Sequence, residues 1–294
     1  MYKSGFVTII GRPNVGKSTI LNHIIGEKVS IISNKPQTTR NKIQCVYTEK
    51  DYQIVFLDTP GIHKPKNRLG EHMVKTSKST LGEVDLITFM VDNNKTIDDL
   101  DRYIISQLKG INTPKVLLIN KIDKVKKTDI ANLMNMYKKF NIFDDIIPVS
   151  AINGTNIEEY LNTIKKILPE GPQYFPEDMI TDQPERFIIS ELIREKTLYY
   201  LHEEIPHGIF VSIDSIKKRE EKEIIDVYAT IYCEKPSHKG MIIGKNGRKL
   251  KGIGKSARID IERLLGSQVN LQLWVKVEKN WRDKENKIKY FGYE

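Results

Sequence analysis

GRPNVGKS, Gly11 to Ser18, sits between an apolar run, FVTII (6–10), and a helical pattern, STILNHIIGEK (18–28). It fits G-x-x-x-x-G-K-[ST], and strand, glycine loop, helix is the setting in which that pattern holds a phosphate. The glycines let the loop of Gly11, Arg12, Pro13, Asn14, Val15 and Gly16 curl until backbone N–H groups point inward at phosphate oxygens. The helix N-terminus adds partial positive charge. Lys17 is placed to reach the β- and γ-phosphates, and the Ser18 hydroxyl to bind Mg²⁺.

Outward from this loop, short apolar runs alternate with amphipathic segments. KIQCVYT (42–48), QIVFLD (53–58), LITFMVD (86–92), KVLLIN (115–120) and IIPVSA (146–151) read as buried strands. LDRYIISQLK (100–109) and TNIEEYLNTIKKIL (155–168) read as helices. That alternation predicts a mostly parallel sheet covered on both faces. The runs at 42–48 and 53–58 lie at hairpin spacing, which adds one antiparallel edge.

The remaining nucleotide contacts are expected at strand ends. In FLDTPG (56–61), Asp58 closes a strand, where its carboxylate can hold the Mg²⁺ shell through water. Thr59, Pro60, Gly61 and Ile62 follow, and the Gly61 N–H is positioned to sense a γ-phosphate. In LINKID (118–123), Asp123 offers two acceptors that match the N1–H and N2–H₂ donors of guanine, whereas adenine presents an acceptor at N1. Asn120 bonds the base edge and the phosphate loop, Lys121 packs its stem over the ring, and Ile122 completes the turn. Ser150 and the Ala151 N–H close over guanine O6. Between the first helix and the second strand, PQTTRN (36–41) supplies a threonine to Mg²⁺, Thr39 ahead of Thr38.

The catalytic group set is Lys17, Asn14, Thr39 and Gly61. Ile62 stands where Ras-type GTPases carry a water-orienting glutamine, and an isoleucine cannot hydrogen-bond water. Asn14 is the candidate replacement, because its amide oxygen can ligate a monovalent cation beside the phosphates. Such a cation supplies charge where an arginine finger otherwise would.

Composition changes at LPEGPQYFPEDMITDQPE (168–185), which carries four prolines and reads as a linker. This divides the chain into 1–168, a linker at 169–184, and 185–294. The last part reads α-β-β-α-α-β, a small α+β domain. Within it, IIGKNGRKL (242–250) contains G-x-x-G. Gly244 and Gly247 permit a tight turn between helices whose backbone approaches a sugar-phosphate chain. Lys245, Asn246, Arg248, Lys249 and Lys251 face phosphates, and Ile242 and Ile243 floor a groove for unstacked bases. From Lys235 to Ile259 there are eight Lys or Arg residues and no acid, while KKREEKEIID (217–226) is balanced. The basicity is therefore a patch, as phosphate contact requires. The tail NWRDKENKIKYFGYE (280–294) reads as a short amphipathic helix packing its aromatics, Trp281, Tyr290, Phe291 and Tyr293, on the domain, with base stacking as the alternative.

GRPNVGKS, QTTR, DTPGIH, NKID, SA and IIGKNG, in that order, resemble the Era family of bacterial GTPases over essentially the whole chain. The resemblance implies a Ras-like P-loop NTPase domain with a mixed, mostly parallel sheet, followed by an α+β type II KH domain. It implies GTP and GDP binding with Mg²⁺, GTP hydrolysis, and binding near the 3′ end of 16S ribosomal RNA during assembly of the 30S subunit. It also implies K⁺ use through the P-loop asparagine, here Asn14, and peripheral association with the membrane. Ile62 matches the apolar residue that the family carries after DTPG.

The bulk numbers agree without deciding. The 294 residues suit two domains, and the formal net charge of +9 makes a polyanion a plausible partner. No apolar run nears the roughly 20 residues of a membrane span, and the start lacks a signal peptide's apolar core. Cys45 and Cys233 read as reduced core thiols, and His63, His202, His207 and His238 show no metal-ligand spacing. The expected setting is a cytoplasmic monomer that touches the inner face of the cell membrane peripherally. Two other readings stay open: a membrane-surface regulatory GTPase whose basic patch reads anionic lipid, and a GTPase driving RNA modification.

Overall fold

A computed structural model describes residues 1–293 except 33–37, 63, 202–207 and 221–222. The chain forms two compact units. The first comprises Met1–Ser30, Thr39–Pro65 and Gly70–Asp182; the second comprises Ile31–Thr38, Lys66–Leu69 and Gln183–Glu294.

The first unit is built on a sheet of β1 (Lys3–Ile10), β2 (Ile43–Glu49), β3 (Tyr52–Asp58), β4 (Leu86–Val91), β5 (Lys115–Ile119) and β6 (Asp145–Pro148). Its order is β2-β3-β1-β4-β5-β6. Only β2 runs antiparallel, paired to β3, as the hairpin spacing predicts. Every residue of β3, β4 and β5 is buried. Helices cover both faces of such strands, so their sequences are continuous apolar runs rather than alternations. The helices are α1 (Lys17–Ile25), α2 (Arg68–Ser79), α3 (Asp99–Leu108), α4 (Lys127–Lys138) and α5 (Ile157–Ile167). The Asp98 side chain caps α3 by accepting from the Leu100 N–H at 2.8 Å. Strand order reverses at β1, so the loops that follow β1, β3, β5 and β6 gather at one sheet edge, where open α/β sheets bind ligands.

The proline-rich stretch runs along the first unit. Val46 N–H donates to Ile180 O at 2.9 Å, Thr181 Oγ1 donates to Gln44 O at 2.7 Å, and Gln53 Nε2 donates to Phe175 O at 2.9 Å. β2 is an edge strand, and residues 180–181 satisfy backbone groups that it would otherwise leave open.

The second unit contains α6 (Glu185–Tyr200), β7 (Phe210–Lys218), β8 (Ile224–Cys233), α7 (Pro236–Ile243), α8 (Arg248–Leu265), β9 (Gln268–Val277) and α9 (Glu285–Tyr290). Its sheet runs β7-β8-β9, with β7 antiparallel and β9 parallel to β8. Val227, Ala229 and Ile231 alternate inward from β8 and meet Ile189 and Ile193 of α6 and Ile253, Ala257 and Ile261 of α8. The fourfold spacing on α8 puts those three on one helix face. In the tail, Trp281 is fully buried and donates Nε1–H to Gly208 O at 2.9 Å. Phe291 stacks on Phe210 at 4.0 Å. The tail's aromatics are thus core, save Tyr290, which is 74% exposed. Cys45 and Cys233 are buried and unbridged, and burial pushes both thiols up, Cys233 to about 11.

Candidate functional site

The phosphate loop joins β1 to α1. Gly16 caps the helix with φ of 110°, and a Cβ there would stand 2.2 Å from Asn120 Nδ2. Only glycine permits that approach. Asn120 uses it: Nδ2 donates to Val15 O at 2.8 Å, while Oδ1 accepts from Ala151 N–H at 3.0 Å. One amide therefore ties together three strand-end loops.

Lys17 is buried, and its Nζ donates to Gly11 O at 3.2 Å and Arg12 O at 2.8 Å. Burial pushes its pKa from the ordinary 10.5 down to about 8; Asp58 opposes this and Arg12 adds to it. Asp58 is fully buried, and burial raises its pKa. Asp58 Oδ2 accepts from Ser30 Oγ at 2.7 Å, Ser18 Oγ at 3.2 Å and Thr39 Oγ1 at 3.4 Å, and the Ser18 and Thr39 hydroxyls lie 3.2 Å apart. Asp58 Oδ1 is buried with no hydrogen-bond partner. Hard oxygens converging around an orphaned carboxylate oxygen fit Mg²⁺ and not a thiophilic metal.

The sign of the Lys17 shift gives a first prediction. In the free chain, the unfolded state binds more protons between pH 8 and 10.5, so this lysine adds stability as pH rises through that window. A bound polyphosphate restores the higher pKa, so binding weakens above pH 8 and takes up protons. Titration calorimetry at pH 8, in buffers of different ionisation enthalpy, should show uptake of about half a proton per nucleotide. Zero uptake or release would contradict it.

Several predicted residues have side chains or carbonyls engaged within the fold. The Arg12 guanidinium turns to Asp92 and Asp101, each at 2.8 Å. Burial works against that charge, yet Asp101 foremost holds the Arg12 pKa above its ordinary value. Burial in turn pushes Asp101 up to about 6 against the pull of Arg12. Val15 and Ile62 are core side chains, and Thr59 donates its hydroxyl to Ile9 O at 3.1 Å. Pro60 O accepts from Ser77 Oγ at 2.7 Å. Ile62 N–H donates to Gly11 O at 3.2 Å and so tethers the turn after Gly61 to the phosphate loop. With its side chain 3% exposed, Ile62 does not face water. Pro36 and Gln37 lie outside the described residues.

On the base side, Asp123 Oδ1 accepts from Ser150 Oγ at 2.7 Å. Lys121 adopts φ of 64° and donates Nζ–H to Asn14 O at 2.8 Å. Ile122 N–H is held by Val149 O at 3.3 Å, which fixes the turn carrying Asp123. Asn14, at φ of 67°, is exposed in the loop. Sequence reasoning missed Ser30, which follows α1 in no recognisable pattern, and the Asp92–Asp101 pair that captures Arg12.

In the second unit, α7 ends at Ile243 and α8 starts at Arg248. Gly244 has φ of 72°, and a Cβ there would meet Lys249 Cβ at 2.7 Å. Asn246 and Gly247 are also left-handed. Lys245, Asn246, Arg248 and Lys251 are exposed, and Lys249 is half-buried. A groove of about 510 Å³ runs between α8 and β9. Leu250, Leu271 and Leu273 form its apolar wall, and Lys251, Lys255 and Arg258 form a basic rim at helical spacing. The sequence reading expects Ile242 and Ile243 as the floor. Instead Ile242 is fully buried in the core and Ile243 packs against it, because α7 turns that face inward. No group of three or more His, Cys, Asp or Glu side chains placed to hold a metal ion occurs among the described residues; His63, His202 and His207 lie outside them.

Residues 6–121 match the family described as 50S ribosome-binding GTPase, and residues 204–282 match the KH domain. The GTPase Era of Alkaliphilus oremlandii is 63% identical over 293 residues, covering 100% of this chain and 99% of the relative. That of Clostridioides difficile is 60% identical over 294 residues, with 100% and 99% covered. A crystal structure of Era in complex with MgGDPNP and nucleotides 1506–1542 of 16S ribosomal RNA superposes with a TM-score of 0.96. It is 43% identical and covers 100% of this chain and 99% of that one. A variant of Aquifex aeolicus Era bound to GDP·AlF₄⁻ has a TM-score of 0.95 at 43% identity, with 99% of each chain covered.

A strand-end loop set around Gly11–Ser18, on a mixed parallel sheet, followed by a GxxG turn in an α+β unit, defines a Ras-like P-loop GTPase domain followed by a KH domain. The chain belongs to the Era family of GTPases.

Proposed function

We propose that this chain binds GTP and GDP, hydrolyses GTP, and binds 16S ribosomal RNA near its 3′ end through the α8–β9 groove during 30S subunit assembly. The observation that carries the reading is the relative solved with both MgGDPNP and a 16S fragment, similar over the whole chain. Lys17 and the loop N–H groups hold the β- and γ-phosphates, the Gly61 N–H meets the γ-phosphate, and Asp123 with Ser150 and Ala151 reads guanine. Ser18, Thr39 and, through water, Asp58 would hold Mg²⁺, which neutralises charge on the phosphate oxygens when bound. No strong general base is required, because phosphoryl transfer depends on positioning and electrostatics.

The experiment is titration with a single-stranded RNA of the 16S 3′ end at several salt concentrations. Lys245→Ala combined with Arg248→Ala should weaken binding and flatten the logarithmic salt slope by about 1.4, roughly 0.7 per phosphate contact on a single strand. An unchanged slope removes both residues from phosphate contact. Repeating the titration with GDP and with a non-hydrolysable GTP analogue measures the coupling, which must be reciprocal. An apolar wall beside a GxxG turn favours RNA over a lipid surface, since unstacked bases need such a wall and phosphate headgroups do not. The working compartment is the cytoplasm, where the same basic patch can touch the inner face of the membrane peripherally. Among the described residues no helix is long and apolar enough to cross one.

Asn14 supports K⁺ use in the same reading. Hydrolysis should run about tenfold or more faster in KCl than in NaCl, and Asn14→Ala should erase the difference. Equal wild-type rates in the two salts would remove the cation from the reaction.

A further inference from the structure

A pair of aromatic side chains in the second unit lies outside both sites. Val227, Ala229 and Ile231 of β8 and Leu271, Leu273 and Val275 of β9 turn to the helices, so the residues between them face the other way. On that outer face Tyr228 stands beside Trp274, with ring centroids 6.0 Å apart and planes 19° from parallel. Trp274 is 46% exposed, against 0% for Trp281, the chain's other tryptophan. The tail aromatics cover the far end of the face, at Phe210 and Tyr232. A large ring held half in water and backed by a second ring is a stacking platform rather than core.

The polar groups of this face suit a nucleic-acid strand. Gln272 and Lys276 flank Trp274 on the outer side of β9, and both are exposed. The carboxylates of the face are engaged. Asp226 accepts from Arg219 Nη2 at 2.7 Å and Nε at 2.8 Å, and Asp214 accepts from Thr230 Oγ1 at 2.8 Å. Amides and a cation around a stacked ring pair fit a base and its phosphates, whereas a protein partner needs a broad apolar patch.

The groove between α8 and β9 leads to this face. Arg258 and Asn270 line the groove and also a second hollow of about 540 Å³, walled further by Arg219, Gln268 and Glu262. Glu262 Oε1 is taken up by the Val269 N–H at 3.0 Å. β9 is an edge strand, so the hollow carries the groove around its margin to the outer face. Asn270 marks the corner, where its Nδ2 donates to Asp226 Oδ1 at 2.7 Å. From there Asn270, Gln272 and Trp274 stand in line at steps of roughly 7 Å, near the spacing of phosphates in an extended strand.

We propose that single-stranded RNA leaving the α8–β9 groove passes over the β9 edge at Asn270 and stacks a base on Trp274, with Tyr228 behind the ring. The surface extends the RNA reading and rests on it. Stacking takes any base, so this second contact lengthens the footprint and tightens the grip without narrowing the sequence.

The test compares two RNAs from the 16S 3′ end, about four nucleotides to fill the groove and about ten to reach beyond it, with a non-hydrolysable GTP analogue present. Trp274→Ala should weaken the longer RNA about fivefold to a hundredfold and leave the shorter one unchanged, and Trp274→Phe should recover most of the loss. Because Trp281 is buried, wild-type tryptophan emission reports Trp274. The longer RNA should quench that emission and shield it from acrylamide, and the shorter should not. Equal weakening of both RNAs would make Trp274 structural and overturn the surface. So would a longer RNA that ignores the substitution, or a change of oligomeric state in Trp274→Ala, which would make the face a contact between copies. If neither RNA binds the wild-type chain, the RNA reading itself falls and takes this surface with it.

Discussion

Lys17→Ala should leave a folded chain that no longer holds GTP. The ammonium stands at the helix N-terminus in a water-poor loop, where the proposed function has it meet the β- and γ-phosphates. Removing one partner of a buried charge pair costs about 3–5 kcal/mol, or roughly 10²–10⁴ in affinity. The fold does not need that charge, since burial has already pulled the lysine down to about 8 and the charged form is held at a cost in the free chain. The melting curve should therefore stay near the wild-type position while a fluorescent GTP analogue ceases to bind. RNA binding by the second unit should survive without nucleotide. Retention of GTP within tenfold of wild type would contradict the role given to Lys17.

Asp123→Asn should exchange guanine for xanthine. In the proposed reading the carboxylate offers acceptors to N1–H and N2–H₂ of guanine, and Ser150 Oγ already orients it at 2.7 Å. An asparagine at this position keeps one acceptor for Ser150 and turns an NH₂ toward the base, where guanine presents donors and xanthine a C2 carbonyl. A site that depends on buried polar pairing rejects the mismatched partner strongly, so the ratio of XTP to GTP affinity should rise by about 10³ or more. Competition between the two nucleotides for the same sample measures it. A variant that still prefers GTP would place base reading elsewhere.

The parts of this molecule that were legible in the sequence are those encoded over a few neighbouring residues. GRPNVGKS, FLDTPG, LINKID and VSA each end a strand, and the apolar runs that make those strands are buried on both faces, so strand and loop could be read together. The GxxG turn was legible for the same reason, through two glycines that the backbone requires. Contacts between distant segments were not legible. Ser30 reaches Asp58 across 28 positions, and nothing around it marks a ligand shell. Arg12 looks like a phosphate contact in the motif, but Asp92 and Asp101 claim its side chain, and only the folded sheet brings those carboxylates to it. Ile242 reads as groove floor in the sequence because a hydrophobic pair beside basic residues does not say which of its faces turns inward. α7 turns Ile242 to the core, and the wall comes from Leu271 and Leu273 on a strand some 30 residues later.

The pairing of residues 180 and 181 with the outer side of β2 bears on how the chain is made. A ribosome releases the phosphate loop, the sheet and its helices first, yet the open side of Gln44–Val46 finds its partners only when Ile180 and Thr181 emerge. Until then the nascent nucleotide-binding unit carries a sticky β-margin. The seal is applied by the last few residues before the KH unit begins, so completion of the first half is timed to the arrival of the second.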